Sequence, residues 1–553
     1  MGRKMKPKFV AQDTFYGKAQ YDIVIPPDHF FRLLLMTIDW KSIRKELMTD
    51  TEGKPIVYSD TGRPAWDPLV IFKMFFLQRY HMASDAKVEE RAKTDLTYRF
   101  FLEVPIPQSV PDESTLSLYR TRWGDKKIDQ IYKNIFTQIQ RFGHASVKEG
   151  VVGDITHQQA KIQKPTARML ILTCFEKWSK EIQVLGERFP KIFKRKPFQK
   201  LNLTTKAWLE AYQEQIRQNE LSRKERLNLL VQKVLKIQQE VSVLVGETIP
   251  KRVISSAEYQ AYMKRKTTLM QILGENVTMN QKEVTQKKGQ RKIISLVDPE
   301  ARSGYKTKKK RFTGYKIATT MTTDGFHPGV ETLPGNESDM NQAVPLVNKV
   351  IKNANEVPKT ICLDLGFNSV KNRRALHKLG VQPGIELERP LNSRNPGLFS
   401  AVDFSFDFQT LTVTCPAKQT TCKVTKNAKV ETFLFYFSKQ LCDDCSLRTK
   451  CTTSQTGRTV QFSQYVHLLE HDREFLQTDQ YEIGRKARWR LEARYGTGKG
   501  NHSLAETPYH GLQKTNFHNL MVFIVLNLKK FIKMQYFPSL KVPPTRCLSG
   551  ASV

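Results

Sequence analysis

Three acidic residues occupy positions from which they can act together on a metal ion. Asp154 and Asp364 each lie at or near the end of a short β-branched or apolar run, at 150–156 and 360–364. Glu492 follows in a late segment with helical spacing. Because functional groups gather where the carboxyl ends of strands emerge from an open α/β sheet, we expect the two aspartates to lie side by side.

A cage of three carboxylates suits hard cations. Carboxylates held close together repel one another unless a cation such as Mg²⁺ neutralises them. Two Mg²⁺ ions about 4 Å apart activate water, orient a phosphodiester and stabilise a leaving 3′ oxygen. The spacing of Asp154, Asp364 and Glu492 is weak support by itself, because the chain's 54 acidic residues offer many such triplets.

Basic residues share the helical segment of Glu492. Arg485, Arg488 and Glu492 are separated by three and four positions, so they lie on one helix face. Lys499 follows seven residues after Glu492. Cations beside a catalytic acid suit a substrate with a phosphate backbone, although an ordinary surface ion pair between Arg488 and Glu492 remains an alternative.

The charge of the whole chain also favours a polyanionic partner. The 553 residues include 89 Lys and Arg against 54 Asp and Glu, a net charge of +35. A hydrophobic content of 39% is too high for a disordered polycation. We therefore expect a folded protein that binds nucleic acid, ahead of a membrane surface or an acidic protein.

No membrane segment or secretory signal is predicted. The longest apolar run, 520–526, is far shorter than the about 20 residues that span a bilayer. The N-terminus is basic and has no apolar stretch typical of a secretory signal. We expect a cytoplasmic protein in a reducing compartment.

The pattern of helices and strands indicates a mixed α/β core that is preceded by helices and interrupted twice. Asp67 followed by Pro68 predicts a helix start, and a 3-4 apolar seam over 227–244 predicts a helix that packs on another helix. That seam fits an intramolecular hairpin or a dimerising coiled coil. Further strands are predicted at 291–296, 315–320, 330–333 and 381–387, and further helices at 369–379, 472–495 and 516–534.

These patterns divide the chain into eight segments. The predicted segments are a basic arm at 1–27, a helical N-terminal domain at 28–145, a first core strand at 146–160, a helical insertion at 161–290, the main core at 291–395, a Cys-rich insertion at 396–470, the helix of Glu492 with a closing helix at 471–535, and a tail at 536–553.

Five of the eight cysteines lie between positions 415 and 451, which in a large chain without a secretory signal indicates a metal rather than disulfides. A Cys-x-x-Cys pair and two more thiols satisfy tetrahedral zinc. Cys422 is then spare, and unligated thiols or an iron–sulfur cluster remain alternatives. The predicted zinc ligands are Cys415, Cys442, Cys445 and Cys451.

A basic run over 306–311 leads into a predicted core strand. In most proteins such a run is a solvated face, but beside a nuclease-like site phosphate contact is favoured. Phosphate contacts give salt-sensitive affinity rather than sequence choice, so we expect base reading elsewhere, within 28–145. The predicted phosphate contacts in this run are Lys308, Lys309, Lys310 and Arg311.

The late helix resembles a known signature. Bacterial insertion-sequence transposases of the Asp-Asp-Glu (DDE) type carry Tyr, Arg, Glu and Lys separated by two, three and six intervening residues. This chain resembles them with residues at the same spacings: Arg485, Arg488, Glu492 and Lys499. Only the first position departs, with Arg485 for Tyr. Other segments resemble the family in the correct order: 153–156, 295–302, 314–316, 333–339 and 363–369. Asp298, in the second of these, either caps a turn or approaches the metal.

The resemblance runs from about residue 28 to 534, apart from 161–290, and fits a subgroup with a helical N-terminal domain and a Cys-rich insertion. It implies an α/β, ribonuclease-H-like catalytic core with an all-α N-terminal domain, a helical insertion and a Cys-rich, zinc-binding insertion. Asp154, Asp364 and Glu492 would hold two Mg²⁺ ions, with Mn²⁺ able to substitute. Arg488 and Lys499, with Arg485 in the departing position, would contact the DNA.

The implied protein is a DNA transposase that binds the terminal inverted repeats of its element, cleaves at the element ends and joins the 3′-hydroxyls to target DNA. Its partners would be double-stranded DNA and further copies of itself, as a homodimer or higher multimer, in the nucleoid of a bacterial cytoplasm and away from membranes. Two alternatives remain. One is a catalytically silent or domesticated DNA-binding protein, and the other is a structure-directed nuclease with the same core.

Overall fold

The structure is a computed structural model that describes residues 21–56, 64–106, 108–193, 195–245, 249–280, 283–287, 292–306, 310–387, 397–428 and 431–538. Most of the predicted basic arm and tail lies outside these described residues, as do Lys308 and Lys309.

The N-terminal part of the described chain is helical. Helix α3 begins at Pro68, and the carboxylate of Asp67 accepts a hydrogen bond from the Leu69 N–H at 2.9 Å, which confirms the predicted helix start. The helices are α1 (Phe30–Thr37), α2 (Trp40–Leu47), α3 (Pro68–Tyr80), α4 (Asp85–Thr94), α5 (Leu96–Leu102) and α6 (Glu113–Arg141).

Strand β1 (Val151–Ala160) starts the central sheet and leads into a helical insertion with its own apolar core. The predicted seam on α9 is buried in that core, which confirms the intramolecular interpretation of its packing. The insertion contains α7 (Ala167–Arg188), α8 (Arg195–Arg217), α9 (Arg223–Val245), α10 (Lys251–Ile254), α11 (Ala257–Asn276) and a hairpin of β2 (Val277–Asn280) and β3 (Glu283–Gln286).

The strand predicted at 291–296 is wrong. Its described residues, 292–296, form irregular backbone. The Ser295 hydroxyl accepts a hydrogen bond from the Val297 N–H at 3.3 Å, and the buried Asp298 carboxylate accepts one from Ala301. Such side-chain bonds to nearby backbone favour turns over a sheet ladder.

The rest of the sheet forms around β1. Its strands and adjacent helices are β4 (Arg302–Tyr305), β5 (Arg311–Thr322), β6 (Val330–Pro334), α12 (Ala343–Ala354), β7 (Thr360–Leu363), α13 (Val370–Lys378) and β8 (Gln382–Ile385). Strands β5, β6, β7 and β8 and helix α13 confirm the corresponding predictions.

The strand order combines an antiparallel half with a parallel half. β1 pairs antiparallel with β5, and the far edge of β5 pairs antiparallel with β4 and β6. On the other side, β7 is parallel to β1 and β8 is parallel to β7. The order across the sheet is therefore β6-β5-β1-β7-β8, with β1 at its centre.

The Cys-rich segment forms two small antiparallel sheets around an aromatic cluster that includes Phe404 and Phe435. Its elements are β9 (Ser405–Asp407), β10 (Thr412–Thr414), β11 (Thr420–Thr421), β12 (Val424–Asn427), β13 (Thr432–Tyr436), α14 (Lys439–Asp443), α15 (Arg448–Cys451) and β14 (Thr459–Ser463).

The helix predicted over 472–495 is two helices, α16 (Val466–Phe475) and α17 (Asp479–Asn501). The break follows from Thr478, whose hydroxyl caps α17 by accepting a hydrogen bond from the Tyr481 N–H at 3.3 Å. The chain then forms β15 (Glu506–Thr507), which pairs with the end of β1, and helix α18 (Leu512–Tyr536), which extends the predicted 516–534 helix.

Helix α18 joins the N-terminal helices to the sheet. Its residues 515–528 are buried, and Phe517 packs edge-on against Phe75 of α3 with ring centroids 5.0 Å apart. Asn519 contacts Gln158 of β1 and Thr332 of β6 through hydrogen bonds of 2.9–3.0 Å. Because the N-terminal helices, the sheet and α18 share one apolar core, the sheet edge that carries the acidic residues has a rigid support. None of the described helices has the length and apolarity needed to cross a membrane.

Candidate active site

The strand register brings the two predicted aspartates to neighbouring positions. In the parallel pair of β1 and β7, Val151 lies opposite Ile361 and Val152 opposite Cys362. Continuing that register by two residues brings Asp154 opposite Asp364, on the same face of the sheet because side chains alternate. The Asp364 carboxylate is also fixed locally, since it accepts a hydrogen bond from the Leu365 N–H at 2.7 Å.

Helix α17 lies across the same two strands. Gly484 packs on Cys362 of β7 so closely that an added Cβ would overlap the Cys362 Sγ. Farther along, the Tyr495 hydroxyl donates to the backbone oxygen of Asp154 at 2.8 Å, and Lys499 Nζ donates to the Thr156 hydroxyl at 2.6 Å. Glu492 lies between these contacts along the helix, close enough to Asp154 for its charge to act on that carboxylate.

The electrostatics of Asp154 show that the other two carboxylates lie close enough to act on it. The pKa of Asp154 is raised to about 6, mainly by burial and to a smaller extent by the charges of Asp364 and Glu492. A hydrogen bond from Ile155 N–H and the charge of Arg488 act in the opposite direction. A cation bound among these carboxylates would stabilise their ionised form.

Arg488 pairs with Asp364 rather than with Glu492. Its Nη2 lies 3.5 Å from Asp364 Oδ1, so the guanidinium joins the acidic site instead of forming the i,i+4 surface pair. Arg485 points elsewhere: Glu482 binds it with two hydrogen bonds of 2.7 and 2.8 Å on the exposed side of the helix. The two arginines were predicted to lie on one face of α17, but only Arg488 contacts the acidic site, and Arg485 pairs with Glu482.

A group of cations flanks the acidic site formed by Asp154, Asp364 and Glu492. Burial and the charge of Lys306 lower the pKa of Lys499, while Asp154 raises it. The pKa of His157 is lowered to about 4, mainly by burial and also by the charges of Lys499, Lys306 and Lys310. The imidazole of His157 is therefore neutral at pH 7, and the positive charge next to the carboxylates is carried by lysines.

The β4–β5 turn delivers part of the predicted basic run to this site. The Lys306 N–H donates to the backbone oxygen of Lys310 at 2.8 Å, which closes the turn. Arg311, at the start of β5, stacks its guanidinium 4.8 Å from the Tyr305 ring centroid. The described residues of the run, 306, 310 and 311, therefore lie beside the acidic site.

Sequence reasoning missed three residues that build the site: Thr156, Gly484 and Tyr495. Helical spacing offered one signal, since Tyr495 lies three residues after Glu492 and four before Lys499. The contacts of the other two depend on strand register and helix docking. Asp298, by contrast, has a structural position, because the Tyr315 hydroxyl donates to its carboxylate at 2.7–2.8 Å.

The four predicted zinc ligands line one small cavity of about 20 Å³. Cys415 lies in a turn closed by hydrogen bonds to Gln419 and from Lys418, and the N–H of Cys445 donates to the oxygen of Cys442. Burial raises the pKa of Cys451, and the charges of the other three thiolates raise it further. The four thiols suit a soft or borderline cation chemically, whereas Cys422 is exposed.

A different group has the tightest arrangement of metal-ligand atoms in the described part of the chain. Donor atoms of His377, His471 and Asp472 all lie within 4.8 Å of one another, a spacing that neither the four thiols nor the three carboxylates meet. Asp472 is fully buried and already engaged by Arg373 at 2.5 Å, His377 at 2.8 Å and Gln382 at 3.0 Å. This network ties α16 to α13 and β8 as a structural support.

Two family models match the chain. The first is described as "Transposase domain (DUF772)" and covers residues 19–122, the helical N-terminal part. The second is described as "Transposase DDE domain" and covers residues 414–532, which include the Cys-rich segment and Glu492. No curated protein and no solved structure matches the chain significantly. Both matched models describe transposases, one on each side of the segments that contain Asp154 and Asp364, and together they support an insertion-sequence DDE transposase.

Proposed function

We propose that this DDE transposase binds the terminal inverted repeats of its own element, cleaves at the element ends and joins the freed 3′-hydroxyls to target DNA. The observation that carries the proposal is geometric: Asp154 lies on one strand, Asp364 follows its parallel neighbour, and the helix of Glu492 packs on both strands. Like charges held close together destabilise a folded protein, and a metal-binding catalytic site explains why such a cluster would be present.

The core is proposed to be ribonuclease-H-like. Support comes from its strand order, in which three antiparallel strands are followed by two parallel ones and β1 lies at the centre. In this architecture the first aspartate belongs on the central strand and the second after the first parallel strand. Asp154 and Asp364 occupy those positions, and α17 supplies Glu492.

Asp154, Asp364 and Glu492 would hold two Mg²⁺ ions. Bound Mg²⁺ would supply activation of water and stabilisation of the leaving 3′ oxygen. The oxygen donors of the three side chains fit a hard cation. In the first step water attacks the phosphorus at the element end and the bond to the 3′ oxygen breaks. In the second step the freed 3′-hydroxyl attacks a target phosphodiester, and the bond from that phosphorus to the target strand's own 3′ oxygen breaks.

The cations of the site have a positioning role in these steps. Arg488 is held beside Asp364 at 3.5 Å, where it can bind a non-bridging oxygen of the scissile phosphate. Lys499 is anchored on Thr156 and carries positive charge close enough to Asp154 for that carboxylate to raise its pKa. Lys306 and Lys310 extend this charge along the β4–β5 turn, where the adjacent DNA backbone would pass.

The remaining segments are assigned as follows. The helical domain at 28–145 would bind the terminal repeats, and the insertion at 161–290 would brace the paired ends in a homodimer or higher multimer. Zn²⁺ on Cys415, Cys442, Cys445 and Cys451 would stabilise the insertion at 396–470. Its small aromatic core explains why a metal would help it fold.

The proposal is tested with a plasmid that carries the element's two ends in their native flanks. Purified protein is incubated with the plasmid and Mg²⁺, and end binding is measured in parallel at fixed salt. Wild-type protein should cleave and join the ends. Glu492→Gln should bind them but lose cleavage. Glu482→Gln, an equal change on the same helix, should keep cleavage because the ion pairs of Glu482 among the described residues are with Arg485 and Lys486.

Equal binding without cleavage by the wild type, in Mg²⁺ or Mn²⁺ and with host extract added, would instead favour a silent DNA-binding protein. Cleavage without joined products would favour a structure-directed nuclease.

A further inference from the structure

Helix α17 carries a second set of cations on the face turned away from the acidic site. Residues two positions apart lie about 200° around a helix. Arg490 and Arg494 therefore point away from the side that presents Arg488 and Glu492. The neighbouring helix α18 adds three lysines, and together these residues form the α17–α18 basic patch: Arg490, Arg494, Lys529, Lys530 and Lys533.

The patch converges on the turn between β5 and β6. A Cβ added at Gly325 in this turn would lie 3.6 Å from Lys530 Nζ and 3.8 Å from Arg494 Nη2, so both cations approach the same backbone. Lys529 lies on the adjacent side with its Nζ 5.0 Å from the Tyr80 ring centroid. Arg490 and Lys533 are exposed and border the other end.

The positive charge of the patch is not balanced by acids. In the part of the chain that the structure describes, no carboxylate lies within 4.0 Å of any of its five side chains. Burial lowers the pKa of Lys530, followed by the charge of Arg494, while Asp324 raises it. Asp324 is itself engaged by the Ala145 N–H at 2.9 Å and by the Thr322 hydroxyl.

This arrangement has a cost in the free protein. Arg494 is half-buried, and among the described residues no carboxylate lies within 4.0 Å of its guanidinium to offset the loss of hydration. Burial and Arg494 also lower the pKa of Lys529. Cations that are partly buried and repel one another are stabilised when a polyanion binds, which is the signature of a phosphate-binding surface.

We infer that the α17–α18 basic patch binds the backbone of a second DNA duplex, the target DNA that receives the cleaved ends. This assignment rests on the proposed function, which requires an end at the acidic site and a target beside it. Lysines and arginines make up the patch, so it suits sequence-independent phosphate contacts rather than base reading. Its position on the opposite face of α17 separates it from the cations that flank Asp154.

The test compares wild-type protein with the triple variant Arg490→Gln/Lys530→Gln/Lys533→Gln. A control of equal charge change, Lys418→Gln/Lys423→Gln/Lys439→Gln, uses exposed lysines of the Cys-rich segment. Two activities are measured: cleavage of element ends, and joining of pre-cut ends to a plasmid target. Binding to a duplex without terminal repeats is measured between 50 and 200 mM salt.

The patch variant should cleave ends at the wild-type rate and lose joining by at least tenfold. Three lost phosphate contacts would reduce the slope of log affinity against log salt by about 2.7, so a fourfold rise in salt would weaken the wild type about 40-fold more than the variant. The control should behave as wild type in joining and binding.

Unchanged joining and an unchanged salt slope in a wild type that does cleave and join would overturn the inference. Equal loss of cleavage and joining would also overturn it, because the patch would then hold the element end. A wild type that neither cleaves nor joins would reject the proposed function instead, and the salt slope would still test whether the patch binds DNA.

Discussion

The contact between Gly484 and Cys362 makes the geometry of the acidic site sensitive to a single methyl group. Gly484→Ala would add a Cβ more than 1 Å inside the about 3.5–4.0 Å of a normal contact with the Cys362 Sγ. The Sγ is buried under the helix, so relief requires α17 to move away from β7. Because Glu492 is two turns farther along the same helix, it would move away from Asp154 and Asp364.

The expected effect has two parts. Overpacking a core contact costs about 1–3 kcal/mol of unfolding free energy. A displacement of about 1 Å at a reacting centre can lower the rate roughly 100-fold. We therefore expect Gly484→Ala to fold with a reduced melting temperature, bind element ends as the wild type does, and cleave them roughly 100-fold more slowly.

Two further variants isolate the cause. Cys362→Ala removes the Sγ, and the nearest Cys362 atom to the new methyl group is then the Cβ at 3.2 Å, a tight but tolerable distance. The double variant Gly484→Ala/Cys362→Ala should recover cleavage to within a few-fold of Cys362→Ala. Gly496→Ala is the control on the same helix, because an added Cβ there meets no atom within 4 Å.

The assay is single-turnover cleavage of a labelled element end at saturating protein, with melting followed in parallel. Wild-type cleavage by Gly484→Ala, or no recovery in the double variant, would refute the inference that this contact sets the position of Glu492.

Four further outcomes follow from the structure. Asp154 has a pKa of about 6 in the folded protein against an ordinary 3.8, so between these pH values the folded state keeps a proton that the unfolded state releases. In EDTA, the free energy of unfolding of the wild type should therefore fall as pH rises from about 4 to 6. Asp154→Asn should remove that fall and raise the free energy of unfolding at pH 7.5 by no more than ~3 kcal/mol, with a higher melting temperature. Mg²⁺ protection against melting should weaken below pH 6 in the wild type, and pH-independent protection would contradict this. Arg373→Met leaves the buried Asp472 carboxylate without its cation and should cost about 3–5 kcal/mol in denaturant unfolding, whereas a loss below 1 kcal/mol would show that His377 and Gln382 suffice. Purified protein should contain one zinc ion, and its removal by a chelator should lower the melting temperature. Cys442→Ser should abolish zinc binding, whereas Cys422→Ser should keep it. Equal zinc content in both variants would count against the thiol site.

The strands that carry the aspartates were predictable because their signals are local. A β-branched run bounded by glycines predicts β1, and an apolar run before Asp364 predicts β7. The helix start at Asp67 is equally local, since the cap and the following proline act within one turn. Family resemblance then linked Asp154, Asp364 and Glu492 as one set before any contact was known.

What the sequence could not reveal depends on contacts between distant segments. The pairing of Arg488 with Asp364 instead of Glu492 follows from the docking of α17 on β7, which a helical wheel does not contain. The basic run at 306–311 was predictable as a charge cluster, but its position beside the site depends on the pairing of β4 with β5. The strand predicted at 291–296 failed because Ser295 and Asp298 bond to nearby backbone, and the 472–495 helix is interrupted because Thr478 caps a new one.

The most direct test of the account is to locate bound metal. Crystals of the protein with a cleaved element end and Mn²⁺ would give anomalous diffraction peaks at the metal positions. The account predicts two peaks about 4 Å apart, within coordination distance of Asp154, Asp364 and Glu492. Peaks at His377, His471 and Asp472, with none among the three carboxylates, would contradict it.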